Sequence, residues 1–226
     1  MKIEKNVESI KSNEFLKELS FCRNDTNSYL RKLLPQENNE ILYDAINYAI
    51  FSGGKRFRAF LVIQAAKLFE IPKIRALQAA SAIETTHTYS LVHDDLPSMD
   101  NDDMRRGKPT VHIKWDEATA VLVGDALQAF AYQILSDKKT HPNSEVRLHL
   151  IKTLSEASGH NGMVLGQSKD LEAEKSVKSH ESLRNIIINQ LIGLGFNEVI
   201  NNSIISSLIV ILLKFLSKLL IFKLTY

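Results

Sequence analysis

Apolar residues recur along most of this chain at three- and four-residue steps, the spacing of one face of an α-helix. The clearest case runs from Lys73 to Leu96. No glycine or proline interrupts it, and Ala76, Ala80, Ile83, His87, Leu91 and Asp94 fall on one stripe. The same periodicity predicts helices over Ser12–Ser20, Ser28–Leu34, Ile41–Phe51, Phe57–Phe69, Lys73–Leu96, Asp116–Ser136, Ser144–Ser158 and Ser182–Leu194. Asn143 or Ser144 is placed to cap one of them and Gly159 to stop it. Residues 162–171 read as a further amphipathic stretch in which Gln167 and Asp170 lie one turn apart. No run alternates convincingly at period two, and no internal repeat is visible. The predicted architecture is an all-α bundle.

Composition adds limits rather than identity. With 226 residues, 44% of them hydrophobic, the chain can bury one sizeable core. A net charge of +2 gives no reason to expect nucleic acid as a partner. Cys22 is the sole cysteine, so neither an intrachain disulfide nor a cysteine metal cluster can form. Met1 to Lys11 alternates in charge and lacks the apolar core of a signal peptide, and the expected location is the cytoplasm.

The chemistry concentrates at the end of the long stripe. Residues 93–107 read His-Asp-Asp-Leu-Pro-Ser-Met-Asp-Asn-Asp-Asp-Met-Arg-Arg-Gly, with acids at Asp94, Asp95, Asp100, Asp102 and Asp103 followed at once by Arg105 and Arg106. Carboxylates are hard ligands suited to Mg²⁺, which takes a few of them together with substrate phosphate oxygens. Arginine holds phosphate in a bidentate fork. The combination points to a metal-complexed phosphorylated substrate, although charge runs are ordinarily solvated surface. His87 and Asp94 are two turns apart on the stripe. Asp94 and Asp100, six apart, do not align on a helix. Pro97 should break the helix near Leu96, and the chain must then bulge to bring Asp100 back if the two are to share a metal. His87 by itself is equally well read as a satisfied helix histidine.

A second constellation is Ser52-Gly53-Gly54-Lys55-Arg56-Phe57-Arg58. Two glycines allow a tight turn with exposed N–H groups just before a predicted helix, and Lys55 and Arg58 bring cations to that anion site. Alone, it reads as a helix-start linker with solvated bases, and it lacks the spacing of a P-loop.

Taken together, GGKRFR at 53–58, HTYSLVHDDLPSMDNDDMRRGKPTVH at 87–112, GDAL at 124–127 and GMVLGQSKDL at 162–171 resemble the trans-isoprenyl diphosphate synthases, or polyprenyl synthetases, and among them the bacterial farnesyl-forming enzymes. The resemblance runs from about Asn13 to Ile186. It implies an all-α isoprenoid-synthase bundle around a central cavity, usually a homodimer, that condenses isopentenyl diphosphate with an allylic diphosphate. It implies Mg²⁺ on Asp94 and Asp100 with Asp95 in support, Arg105 on the allylic diphosphate, and Lys55, Arg58, His87 and Arg106 on isopentenyl diphosphate, with Gln167 a further substrate contact. It also makes Tyr89, five positions before Asp94, the ring that limits product length to farnesyl, the alternative being an ordinary core aromatic. The paired bases disfavour a terpene cyclase.

Beyond about Ile186 the pattern disappears. The family's Lys-Thr pair and second aspartate-rich motif have no counterpart after Ser182, and Glu198 is the last acid. Residues 187–226 are nearly all Ile, Leu, Asn, Ser, Lys, Phe and Val, whose codons are AT-rich, and they are read as an aberrant, frameshifted tail. The run Ser203–Phe222 is long enough to span a bilayer. Lys214 and Lys218 fall inside it at a cost of roughly 3 kcal/mol each near the bilayer centre, which disfavours a membrane anchor. The expectation is a farnesyl-type prenyltransferase domain over 1–186, with a catalytically impaired remnant or a non-catalytic partner subunit as the alternative.

Overall fold

A computed structural model describes residues 2–34 and 40–174. The helix expected over Ser182–Leu194 and the apolar tail 187–226 lie outside the described residues. In order, the elements are α1 (Lys2–Leu33), α2 (Ile41–Phe51), α3 (Phe57–Leu68), α4 (Lys73–Asp94), β1 (Met104–Arg105), β2 (Lys108–Pro109), α5 (Val111–Lys114), α6 (Glu117–Ser136), α7 (Ser144–Ser158) and α8 (Met163–Glu174). The chain is a helical bundle, as the periodicity predicts.

The first two predicted helices are one. Asn24, Asp25 and Asn27 favour turns in isolation, but no glycine or proline occurs before Pro35 and packing overrides the local preference. Cys22, Thr26 and Leu30, four apart, are buried along one face of α1. The Thr26 hydroxyl is satisfied inside the helix, donating to the Cys22 carbonyl at 2.7 Å. A second departure is a small hairpin. Met104 pairs with Pro109 and Arg105 with Lys108 across a turn in which Arg106 (φ 56°) and Gly107 (φ 75°) both have positive φ, as tight hairpins require. Strands of two residues are too short to carry an alternating pattern.

Helix α4 is the centre of the molecule and makes its most extensive contacts with α6 and α3. Two apolar clusters flank it. One joins α1, α3, α4, α6 and α7 through Phe60, Ile63, Ala80, Ile134, Leu150 and Leu154. The other joins the end of α1 to α2, α4, α5 and α6 through Leu30, Ile50, Tyr89, Val92, Val111, Val123 and Leu127. Helix α6 is long and apolar enough to cross a membrane by length and composition. Its Ala120, Val123, Leu127, Ala131 and Ile134 are buried in these clusters. At Gly124 the backbone approaches α4 so closely that a β-carbon would overlap the ring of His93. Helix α7 begins where the sequence places it, with the Asn143 side chain accepting from the Glu145 N–H at 2.8 Å.

Candidate functional site

The last turn of α4 and the loop after it fold the acidic run back on itself. The Asp95 N–H donates to Leu91 O at 3.1 Å and the Leu96 N–H to His93 O at 3.2 Å, so the helix tightens and stops just before Pro97. The Met99 and Asn101 N–H groups then return to Leu96 O at 2.9 and 3.1 Å. Most important, the Asp100 N–H donates to Asp94 O at 2.8 Å, and the Asp102 N–H to Asp95 O at 3.2 Å. This is the irregularity that a site shared by Asp94 and Asp100 needs. The two aspartates that begin the run take opposite environments. Asp95 is buried and accepts from Arg105 Nε at 2.5 Å, and Arg105 also reaches Asp102 Oδ2 at 3.3 Å. Among the described residues Asp94 makes no ion pair of this kind. Burial, then the neighbouring Asp100 carboxylate, pushes its carboxyl up to about 7, opposed by Arg105 and reinforced by Asp95 and Asp170. Asp100 is raised as well, by burial and by Asp102 and Asp170 against the pull of Arg105. Helix α8 therefore brings Asp170 into the field of both carboxylates, and Gln167 sits one turn before it on the same helix.

Hard oxygen donors crowded until one holds its proton near neutrality suit a divalent cation, which relieves their repulsion. Among the described residues, no three His, Cys, Asp or Glu side chains form a closed metal cage. An open pair of carboxylates is the arrangement Mg²⁺ uses when phosphate oxygens and water complete its shell. The residues present fit Mg²⁺.

The basic half is built on α3, α4 and the hairpin. Ile83, His87, Leu91 and Asp94 of the predicted stripe are the partly accessible face of a helix whose Glu84, Thr85, Thr88, Tyr89 and Val92 are buried. Arg58 Nη1 lies 3.2 Å from His87 Nε2. Burial, then Arg58, Arg106, Arg56 and Arg105, hold the His87 imidazole neutral, its pKa lowered to about 3. Arg58 Nε is buried without a partner among the described residues, a donor left for an acceptor from outside. Arg106 donates to the Gly53 carbonyl, and a β-carbon on Gly54 would meet the same guanidinium at 2.5 Å, so this side chain lies directly on the glycine turn. Lys55 is exposed on that turn. The structure thus brings Lys55, Arg58, His87 and Arg106 around one loop. A small cavity of about 40 Å³ lies behind it, lined among others by Tyr48, Ser52, Asp95, Arg105 and Arg106.

Tyr89 is 5% exposed, packed in the second apolar cluster with its ring edge-on to His93 at 6.0 Å. Two residues that the motifs did not single out are Arg56 and Glu84, an ion pair at 3.2 Å beneath the glycine turn with both side chains buried. A signal was available: Glu84 is the only acid or base other than histidine from Ala76 to His93, and a lone charge inside a buried helix needs a partner.

Known proteins resemble this chain in sequence and in fold. The chain is 50% identical to the farnesyl diphosphate synthase of Haemophilus influenzae over 139 residues, covering 62% of this chain and 47% of that protein. It is 43% identical to the farnesyl diphosphate synthase of Micrococcus luteus over 180 residues, covering 80% and 59%. The chain spans about half the length of the curated relatives it matches. An FPP/GFPP synthase from Zymomonas mobilis, solved in its apo form, superposes with a TM-score of 0.75 at 44% identity, covering 79% of this chain and 66% of that one. A geranyltransferase from Legionella pneumophila superposes with a TM-score of 0.77 at 38% identity, covering 89% and 69%. Residues 39–191 match the polyprenyl synthetase pattern, and the chain belongs to the polyprenyl synthetase family.

Proposed function

We propose that this chain carries the diphosphate-binding half of a prenyltransferase that condenses isopentenyl diphosphate with dimethylallyl or geranyl diphosphate to give farnesyl diphosphate, acting in the cytoplasm as a homodimer. The observation that supports the reading is the backbone bond from Asp100 to Asp94, which folds the acidic run back so that both carboxyls sit above their usual range against the pull of Arg105. Lys55, Arg58 and Arg106 hold the diphosphate of isopentenyl diphosphate, and neutral His87 steadies Arg58 without adding a proton that could be lost to the substrate. Arg105, fixed by Asp95 and Asp102, offers its remaining donors to the allylic diphosphate. Asp94 and Asp100 are the residues that would hold Mg²⁺, which supplies positive charge to the diphosphate leaving group. Ionisation leaves an allylic cation that the isopentenyl double bond attacks, with loss of a proton. Apolar walls from the second cluster, Tyr89 included, keep water from that cation and set how long a product fits.

One observation favours a second reading, a catalytically impaired remnant or a non-catalytic partner subunit. The 226 residues hold no second aspartate-rich motif and no Lys-Thr pair after Ser182. For a polypeptide of these 226 residues alone, each electrostatic element of that kind is worth roughly a hundredfold in rate. Two measurements on the 226-residue chain separate the readings. Isopentenyl diphosphate is expected to bind, and Lys55→Ala or Arg58→Ala to weaken it. Release of diphosphate from geranyl diphosphate with isopentenyl diphosphate and Mg²⁺ is expected to run at least about a hundredfold below the common enzyme median of roughly 10 per second. Turnover near that median removes the impaired reading. Absence of isopentenyl diphosphate binding removes the site assignment.

A further inference from the structure

The glycine turn is held from beneath by a residue that no diphosphate can touch. Three of the four residues from Gly53 to Arg56 have positive φ: Gly53 at 110°, Gly54 at 114° and Arg56 at 52°. The glycines take such angles freely. Arginine does not, and a non-glycine residue in this region persists only where its surroundings over-determine it. Here they do. Arg56 is 4% exposed, and its guanidinium reaches three other elements. Nε donates to Asn27 Oδ1 on α1 at 2.9 Å, Nη2 donates to the Ile50 carbonyl on α2, and Nη1 donates to Glu84 Oε2 on α4 at 3.2 Å. The other Glu84 oxygen accepts from the Ala59 N–H in the first turn of α3 at 3.0 Å. One fork and one carboxylate therefore tie α1, α2 and α4 to the start of the helix that bears Arg58, while the neighbouring residues on either side, Lys55 and Phe57, face outward.

Resting on the proposed role of Lys55 and Arg58 in holding isopentenyl diphosphate, we infer that Arg56, with Glu84, is a positioning residue for that site: it fixes the strained turn so that Lys55 and Arg58 converge on one diphosphate. Only an arginine fork satisfies the three acceptors at once; a lysine keeps the charge and loses the geometry. The nearness of Arg56 to Arg106 and His87, whose charged forms it disfavours, follows from the same placement. Glu84 supplies the balancing negative charge below the turn, which leaves the upper side positive for an anion.

A double-mutant cycle read by calorimetric titration of the full 226-residue chain with isopentenyl diphosphate tests this. Arg56→Lys is expected to weaken binding about tenfold in the otherwise unaltered chain, yet less than about threefold when Arg58→Ala is already present, because a residue that acts through Arg58 has little left to position. Equal losses in the two backgrounds, or no loss in either, overturn the inference. A general loss of stability would give equal losses. As a second variant, Arg56→Met with Glu84→Gln removes both charges and keeps an acceptor for Ala59. It is expected to melt cooperatively near the parent temperature while still binding weakly. Parent-like affinity in this pair overturns the inference as well. If the unaltered chain fails to bind isopentenyl diphosphate at all, the site assignment and this inference fall together. If it binds, and Lys55→Ala weakens it while the Arg56 variants do not, only the positioning role falls.

Discussion

Asp94 and His87 occupy one stripe of α4 and are perturbed in opposite senses. The Asp94 carboxyl rises from 3.8 to about 7, and the His87 imidazole falls from 6.5 to about 3. A carboxyl raised on folding contributes stability at low pH that is lost as pH climbs through the folded value. A histidine lowered on folding contributes stability that is lost as pH drops below 6.5. Between pH 4 and 6.5 the two contributions oppose each other. Asp94→Asn removes the first alone. In chelator, this variant is expected to melt well above the parent at pH 8 and to lose that advantage at pH 4; a constant gap in melting temperature across the range would contradict the assignment. The same crowding predicts unequal roles within the acidic run. In a chain with measurable turnover, Asp94→Ala should cost several kcal/mol of transition-state stabilisation, since it would remove a metal ligand. Asp103→Ala should cost far less, because Asp103 is exposed and its carbonyl, not its carboxylate, serves the loop by accepting from Thr110. Equal losses would count against this division.

Between α4 and α6 the constraint is space. Gly124 lets α6 lie against the ring of His93, whose Nε2 is 3.1 Å from the Val121 carbonyl. Gly124→Ala gains helix propensity by roughly 1 kcal/mol, but its methyl has no room. Overpacking of this kind costs typically 1–3 kcal/mol, so a lower melting temperature is expected, and an unchanged or raised one would show that the helices part easily. Leu127, three residues on and fully buried, should cost about 2–5 kcal/mol as Leu127→Ala, read from chemical denaturation. How much of this was legible in the sequence differs by element. The stripe of α4 and the break at Pro97 could be read because periodicity and proline act locally. The unity of α1 could not, since Thr26 looks like a turn residue until it is seen buried with Cys22 and Leu30 along one helix face. The return of Asp100 was foreseen as a requirement, whereas the four backbone hydrogen bonds that deliver it follow no pattern in the sequence. Arg56 looked like one more solvated base among Lys55 and Arg58; its burial depends on Asn27, Ile50 and Glu84, which come from three distant parts of the chain.

Across the whole molecule, α4 packs into both apolar clusters and contributes His87 and Asp94 to the proposed site, with Asp95 as its C-cap, so in that reading folding and binding share one element. A ligand that binds only the folded chain stabilises it by RT ln(1 + [L]/Kd). Mg²⁺ with inorganic diphosphate is therefore expected to raise the melting temperature at pH 7, and Asp94→Asn to abolish the rise. An equal rise in the variant would move the metal elsewhere. The hairpin bearing Arg105 is joined to the same body through α2, because the Tyr48 hydroxyl donates to the Pro109 carbonyl at 2.7 Å. Tyr48 stacks edge-on to Trp115 at 5.3 Å, and the Lys114 ammonium sits over both rings, 3.8 Å from one centroid and 4.4 Å from the other. Trp115 is the only tryptophan in the chain. Its emission is thus a single, unlabelled optical signal wired to the strand opposite Arg105, and a shift of the hairpin by an arriving phosphate would register as a change in fluorescence without any dye, tag or turnover.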